Sequence, residues 1–385
     1  MDLPFEIPAH VTPANRDAII ALASESERDV SQVECCEYLI RHWCETIEDG
    51  NPLYLDEAYA RSRGFRGLVA QPGMLICTLT MPYRWPWPEG YRNQRLIHFY
   101  LKELLELPVG ILANYEAWFY EPVQVGDRLS TTVKLENISD WKRTRLGEGY
   151  FTTIETTYYN QHDTVVKRSF THLFSYGGSR DADGNEVPQS ATSAANSVRP
   201  SEPNTIAEQA PADPPTADAI AGGWHNAAEL CMESWRTGWT AKPPAELHWE
   251  DVREGDEIPE LIMPITVTRC AYMASASRDF APQHHNTWYA QNRSKTRDMF
   301  LGTHFNLGMM SRFMTDWGGP ASTVRRIQLA MRRSICAGED LHMTGRVVRK
   351  FEEDGESRVD LDIELATERG PAYEAGGTLA LPTRA

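Results

Sequence analysis

The sequence predicts an α+β protein built from two copies of one unit. Three observations predict it. The first is an internal repeat. Asp49-Gly50-Asn51-Pro52-Leu53-Tyr54, followed by Tyr59-Ala60, returns 230 residues later as Asp279-Phe280-Ala281-Pro282-Gln283-His284, followed by Tyr289-Ala290. The second is element order: after each copy comes an apolar helical stretch and then consecutive runs of alternating Thr, Val, Tyr and Phe, as an antiparallel sheet requires. The third is the polar, Pro- and Ser-rich stretch over 178–223, which has too little apolar surface to offset its ordering entropy and is expected to be a flexible linker. The expected domains are therefore 1–177 and 224–385.

In chain order, residues 14–23 read as a helix. Residues 33–47 read as an amphipathic one, with Tyr38, Leu39, Trp43 and Ile47 at helical spacing. A helix is expected to start near Pro72, a residue suited to a first helical position, and to continue through an apolar stretch to Leu79. Strands are expected over 118–121, 128–135, 149–160 and 165–176. The second half repeats the order, with a central helix over 298–310 and strands over 324–335, 341–351, 357–366 and 373–381.

The chain has 385 residues, a formal net charge of −16 and 41% hydrophobic residues. That length suits two domains. The charge disfavours nucleic acid and anionic membranes as partners. There is no apolar run of about 18 residues and no basic-then-apolar start, so neither a membrane span nor a secretory signal is expected. The seven cysteines are scattered and odd in number, without a CxxC pair, and read as reduced thiols of a cytoplasmic protein.

The chemistry concentrates in the second copy. Pro282 favours an extended conformation or turn at Ala281, so 279–284 is expected to be a loop, not a helical turn, that aims Asp279 and His284 at one point. A carboxylate and an imidazole converging there can hold and deprotonate a water and return a proton. The first copy has Tyr54 where His284 stands, and a phenol of pKa near 10 is a poor base near neutrality. The first half is accordingly read as catalytically silent. His284, His285 and His304 do not form a plausible zinc site, because adjacent histidines do not easily reach one ion and no acidic ligand set surrounds them.

Asp-x-x-Pro-x-His followed by Tyr-Ala resembles the active-site segment of the MaoC-like, (R)-specific enoyl-CoA hydratases and dehydratases. The family form is Asp-x-Asn-Pro-x-His, and Ala281 stands where its Asn is expected. The resemblance implies a double hotdog fold, each half a central helix wrapped by a curved antiparallel sheet. It implies reversible hydration of a trans-2-enoyl-CoA to an (R)-3-hydroxyacyl-CoA by Asp279 and His284, with neither a metal nor a redox cofactor. The alternatives are a hotdog acyl-CoA thioesterase and a non-catalytic acyl-CoA-binding subunit of a hydratase complex.

A backbone N–H at the start of the central helix, at Gly302 or Thr303, is expected to serve the thioester oxygen. Lys295, Arg325 and Arg326 are candidates for the coenzyme A phosphates. His285 is a candidate pocket wall, and Asn51 and Tyr54 of the silent copy are candidates to shape a tunnel for a medium or bulky acyl chain. The chain is expected to act as a homodimer or within a hetero-assembly.

Overall fold

The computed structural model describes residues 3–76, 78–80, 97–180, 185–188 and 246–384. Among the described residues the α-helices of four or more residues are α1 (Pro13–Leu22), α2 (Glu37–Ile47), α3 (Pro52–Leu55), α4 (Glu57–Ser62), α5 (Ile97–Leu104), α6 (Val267–Ser277) and α7 (Thr303–Gly318). The chain divides into two compact units. One comprises Met1–Val33, Thr80–Glu121 and Arg128–Ser201, and the other Glu34–Leu79, Pro122–Asp127 and Glu202–Ala385.

The first unit carries β1 (Asp29–Val30), β2 (Val109–Phe119), β3 (Ser130–Ile138), β4 (Lys142–Thr144), β5 (Gly147–Tyr159), β6 (Val165–Arg180) and β7 (Glu186–Pro188). Its strands pair antiparallel in the order β1-β3-β5-β6-β2, with β4 on β5 and β7 on β6. α1 and α5 cover this sheet, closing a core of Ile19, Leu101, Leu105, Leu135, Ile154 and Leu173 among others. The linker expected from 178 begins later: β6 runs on to Arg180 and pairs with β7 through Gly178↔Pro188. Residues 189–245 lie outside the described residues.

The second unit carries β8 (Glu257–Ile265), β9 (Thr323–Met331), β10 (Glu339–Glu353), β11 (Glu356–Thr367) and β12 (Gly370–Leu381), paired antiparallel in the order β8-β10-β11-β12-β9. Counting main strands only, both sheets have the order first-third-fourth-fifth-second, so the duplication read in the motif extends to topology. It extends also to α2 and α6, whose limits differ by 230 residues at both ends. β8 and α6 were absent from the sequence expectation, and the central helix starts at Thr303, not near Asp298.

α7 packs on β8, β9 and β12 and is buried on nearly every side, from Phe305 to Thr315. Its polar Asn306, Ser311 and Arg312 are buried too. What departs from the sequence halves is the segment 34–79, which packs in the second unit. Trp43 and Ile47 of α2 lie against Gly308. Arg312 donates to the Ile47 carbonyl at 2.7 Å, and Arg269 of α6 donates to the Thr46 carbonyl at 3.2 Å and pairs with Glu48 at 2.6 Å. Two guanidinium groups thus satisfy the exposed carbonyl end of α2 and oppose its negative dipole.

Candidate active site

The Asp279–His284 segment follows from how α6 ends. Thr266 caps its start, accepting the Arg269 N–H at 3.0 Å. Arg278 ends it in the left-handed region (φ 59°) and turns the chain. Ser277 Oγ accepts the Asp279 N–H at 3.1 Å, and Asp279 Oδ1 accepts the Ala281 N–H at 3.1 Å. Ala281 is extended, as a residue before proline prefers. Pro282–His284 then form one 3-10 turn, so the loop expected over 279–284 contains a single helical turn at its end. In the first copy, Asp49 Oδ1 likewise accepts the Asn51 N–H, at 3.0 Å. There the Asn51 side chain also accepts the Leu53 N–H and starts a four-residue α-helix. Ala281 has no side-chain acceptor, which accounts for the shorter turn in the second copy.

His284 is buried, with 6% of its surface exposed. Its Nδ1 lies 2.8 Å from the Phe300 carbonyl oxygen, and its ring meets the Phe300 ring edge-on at 4.9 Å between centroids. A carbonyl only accepts, so Nδ1 carries the proton, and in the neutral ring Nε2 is a bare acceptor. That Nε2 lies 3.6 Å from Asp279 Oδ2. The gap is too long for a direct hydrogen bond and leaves two acceptors facing a shared point. His304, the second residue of α7, places its Nε2 3.5 Å from the same Oδ2. In the sequence His304 stands out only beside His284 and His285 as a metal-ligand type; its position at the start of an apolar helix is the signal that could have found it.

Burial by itself raises the pKa of Asp279. The side chain and charge of His304, the charge of His284 and the Ala281 N–H outweigh it, and the carboxyl is held well below the usual carboxylate range. Burial pushes His284 below its ordinary value, against the pull of Asp279 and the Phe300 carbonyl. Near neutrality the pair is an anionic Asp279 beside a neutral His284.

The start of α7 faces this pair. Gly302 is its N-cap, and its N–H points at Met273 Sδ, 3.0 Å away. A thioether is a weak acceptor, which an oxygen would outcompete. A Cβ built on Gly302 would sit 3.7 Å from His284 Nε2 and Cε1, so Gly302 borders the space in front of the bare nitrogen. Thr303 follows, its Oγ1 3.6 Å from Met331 Sδ. Gly302 therefore lies beside His284, and Met273 is a neighbour of it that the sequence did not single out.

The corresponding site of the first copy is filled by side chains. Gln71 Oε1 accepts the Gly73 N–H at 2.7 Å and the Trp43 indole N–H at 3.0 Å. Gln71 Nε2 donates to the Gly308 carbonyl at 2.9 Å and lies 3.3 Å from Asp49 Oδ2. Gly73 is the counterpart of Thr303 at the 230-residue offset, so the helix-start donor of this copy already has an acceptor. Asn51 and Tyr54 are buried there, Asn51 as the cap of α3.

The remaining candidates are more dispersed. His285 is exposed, its Nε2 3.2 Å from the Phe280 carbonyl of its own turn. Arg325 and Arg326 lie on β9; Arg325 is paired with Glu356, and Arg326 donates to Gln328 at 2.7 Å. Lys295 is exposed at a left-handed turn (φ 59°) ahead of α7. A groove of about 850 Å³ runs between α2 and α6, lined by Tyr38, His42, Asp49, Tyr272 and Ser275 among others; neither Asp279 nor His284 lines it.

Comparison with known proteins bears on the fold. Residues 28–169 match the model of the FAS1-like, dehydratase domain region. A probable enoyl-CoA hydratase alpha subunit of Thermomonospora curvata is 34% identical over 131 residues, 33% of this chain and 40% of that protein. A 3-oxo-4,17-pregnadiene-20-carboxyl-CoA hydratase alpha subunit of Mycobacterium tuberculosis is 29% identical over 135 residues, 35% of this chain and 42% of that protein. The chain thus spans about two fifths of the length of these relatives. Among solved structures, a MaoC-like dehydratase superposes with a TM-score of 0.63 at 15% identity, covering 94% of this chain and 98% of that one. A Mycobacterium tuberculosis protein described as a double hotdogfold superposes at 0.56 and 15% identity, covering 93% and 96%. The two sheets of common strand order and these superpositions give the chain a double hotdog fold, and its residues 28–169 are similar to the FAS1-like dehydratase domain region.

Proposed function

We propose that this chain catalyses reversible hydration of a trans-2-enoyl-CoA to an (R)-3-hydroxyacyl-CoA, with its chemistry in the second copy of the repeat and the first copy silent. The observation that carries the reading is the pair of acceptors, Asp279 Oδ2 and His284 Nε2, 3.6 Å apart. A water between them donates one hydrogen to each, which leaves an oxygen lone pair for C3. As the C3–O bond forms, His284 takes one water proton and then delivers it to C2, so water adds as OH and H on one face. Asp279, held anionic well below neutrality, orients the second O–H, and His284, whose pKa lies closer to working pH, moves the proton. The negative charge that develops on the thioester oxygen is received by the Gly302 N–H, displaced from Met273, with the α7 dipole and the Thr303 N–H behind it.

Lys295 is the available cation for the coenzyme A phosphates; Arg325 and Arg326 serve there only if they leave Glu356 and Gln328. The filled first copy supports a site in which that half shapes the space for a medium or bulky acyl chain without doing chemistry. No helix among the described residues is long and apolar enough to cross a membrane, and a cytoplasmic setting fits the chemistry. A spectrophotometric assay tests the reading: loss of the enoyl thioester absorbance without release of free CoA supports a hydratase, whereas CoA release points to a thioesterase. Chiral analysis of the product tests the (R) outcome. A second reading is favoured by one observation, namely that both of these hydratase relatives are named alpha subunits. On that reading the chain turns over substrate only with a partner chain, and it would be inactive alone and active when co-purified.

A further inference from the structure

We infer that His304 is a positioning residue of this site, so that the working constellation is His284–Asp279–His304 and not a dyad. The inference rests on the proposed hydratase reading for its effect on turnover, and on geometry alone for the contact. Asp279 Oδ2 has a ring nitrogen on two sides, His284 Nε2 at 3.6 Å and His304 Nε2 at 3.5 Å. The two histidines differ in what holds them. His284 is fixed from behind by the Phe300 carbonyl, which keeps its proton on Nδ1. His304 Nδ1 is buried and has no hydrogen-bond partner among the described residues. Its other nitrogen faces the carboxylate, and the tautomer with the proton on Nε2 is the one that meets it.

The division of labour follows. A carboxylate taken into a mostly buried site tends to protonate unless a donor or a positive charge opposes this. His284 cannot donate to it while acting as an acceptor, because its proton is on the other nitrogen. His304 can oppose that protonation, since its Nε2 faces the carboxylate at ion-pair distance, 3.5 Å from Oδ2, from the start of a 16-residue helix. It thereby fixes Asp279 in place and in charge, and leaves His284 Nε2 bare for the water. The other titratable group facing this carboxylate is His284 from the 3-10 turn, which is itself neighboured by His285; the α7 side is represented by His304 itself. Met74, the counterpart of His304 in the first copy, cannot do this, and Asp49 there lies beside the amide of Gln71 instead.

Three variants test the assignment in the full chain. His304→Ala lowers kcat on the order of ten- to hundred-fold with KM changed less than about two-fold, the scale of a mispositioned catalytic group. It also moves the acidic limb of the pH–rate profile to higher pH, because both Asp279 and His284 lose a neighbour that holds their values down. His304→Gln, whose amide can still donate, recovers part of kcat. His304→Phe keeps ring volume without a donor and behaves like Ala. Independently of any turnover, nitrogen-15 NMR of the parent shows His304 with its proton on Nε2, and the His284 titration moves upward in His304→Ala. A folded His304→Ala protein with an unmoved His284 titration and parental tautomers overturns the assignment. Absence of enoyl-CoA turnover in the parent with a moved titration overturns the hydratase reading and leaves the constellation standing.

Discussion

Asp49 and Asp279 hold the same turn with the same atom, each accepting through Oδ1 the N–H two residues on, yet their environments push their acidities in opposite directions. Asp49 is 1% exposed, and burial, with a smaller contribution from the Asp316 charge, raises its pKa to about 7. Asp279 is only partly buried, and His304 and His284 hold it far below that. Backbone geometry was kept between the two copies while the side chains around the carboxylate diverged. Two neighbouring imidazoles mark the copy proposed to be active, and an amide marks the other.

Replacing either member of the proposed acid–base pair separates chemistry from folding. Asp279→Asn and His284→Ala are each expected to reduce kcat by about 10²- to 10⁴-fold, the range for general acid–base groups. Circular dichroism and the thermal midpoint should stay near those of the parent for Asp279→Asn. Parental turnover in either variant would remove the pair from the mechanism.

The pH profile follows from the same site. Turnover needs an ionised Asp279 and an unprotonated His284 Nε2. The histidine is lowered by burial, so activity is expected to persist below the ordinary histidine value of about 6.5 and to fall with unit slope at more acidic pH. The sign for stability agrees. Below about pH 6.5 the unfolded chain takes up a proton that folded His284 resists, so this group's contribution is lost as the pH falls. An acidic midpoint well above 6.5 in kcat/KM would show that another group governs the limb.

Asp49 has the reverse effect in its own window. Between about pH 4 and 7 the folded chain binds its proton more tightly than the unfolded one, so stability from this group declines as pH rises. The Asp49→Asn variant should lose that dependence. The difference in unfolding free energy between variant and parent is expected to shift in the variant's favour by on the order of 2–4 kcal/mol from pH 4 to pH 8. Urea unfolding at the two pH values measures it, and a difference that does not change with pH would show that Asp49 is ionised throughout.

Two glycines separate packing from chemistry. A Cβ at Gly73 would come within 2.5 Å of the backbone of Gly308, and neither main chain can yield without shifting α7. Gly73→Ala is therefore expected to destabilise by about 2 kcal/mol or more. A Cβ at Gly302 meets only ordinary contacts, at 3.6 Å from Met273 Sδ and 3.7 Å from His284. Gly302→Ala should fold normally and lose turnover, because the methyl group occupies the space in front of His284 Nε2. Equal stability losses in the two variants would contradict the contrast.

Much of the fold was legible in the residues. Alternation gave all four strands expected in the second half, and the repeat of Asp, Pro and Tyr-Ala located both acidic turns along the chain. Strand β8 escaped because the prolines at 259 and 264 interrupt its run. Helix α6 escaped because its small residues, Ala271, Ala274, Ser275 and Ala276, carry little periodic contrast. Of the site, Asp279 and His284 could be read locally, since five residues and a proline decide how they are aimed.

The sequence by itself determined that two related units exist, where each acidic turn lies, and that only the later one pairs it with an imidazole. Those properties are carried by spacing and side-chain type along a few residues. Only the tertiary structure decided that His304 meets Asp279 across 25 residues of chain, that Met273 lies against the Gly302 N–H, and that Gln71 fills the earlier copy. It also decided that segment 34–79 packs beside α7. Convergence of this kind depends on the path of the backbone and on close packing between elements, and neither leaves a period in the sequence.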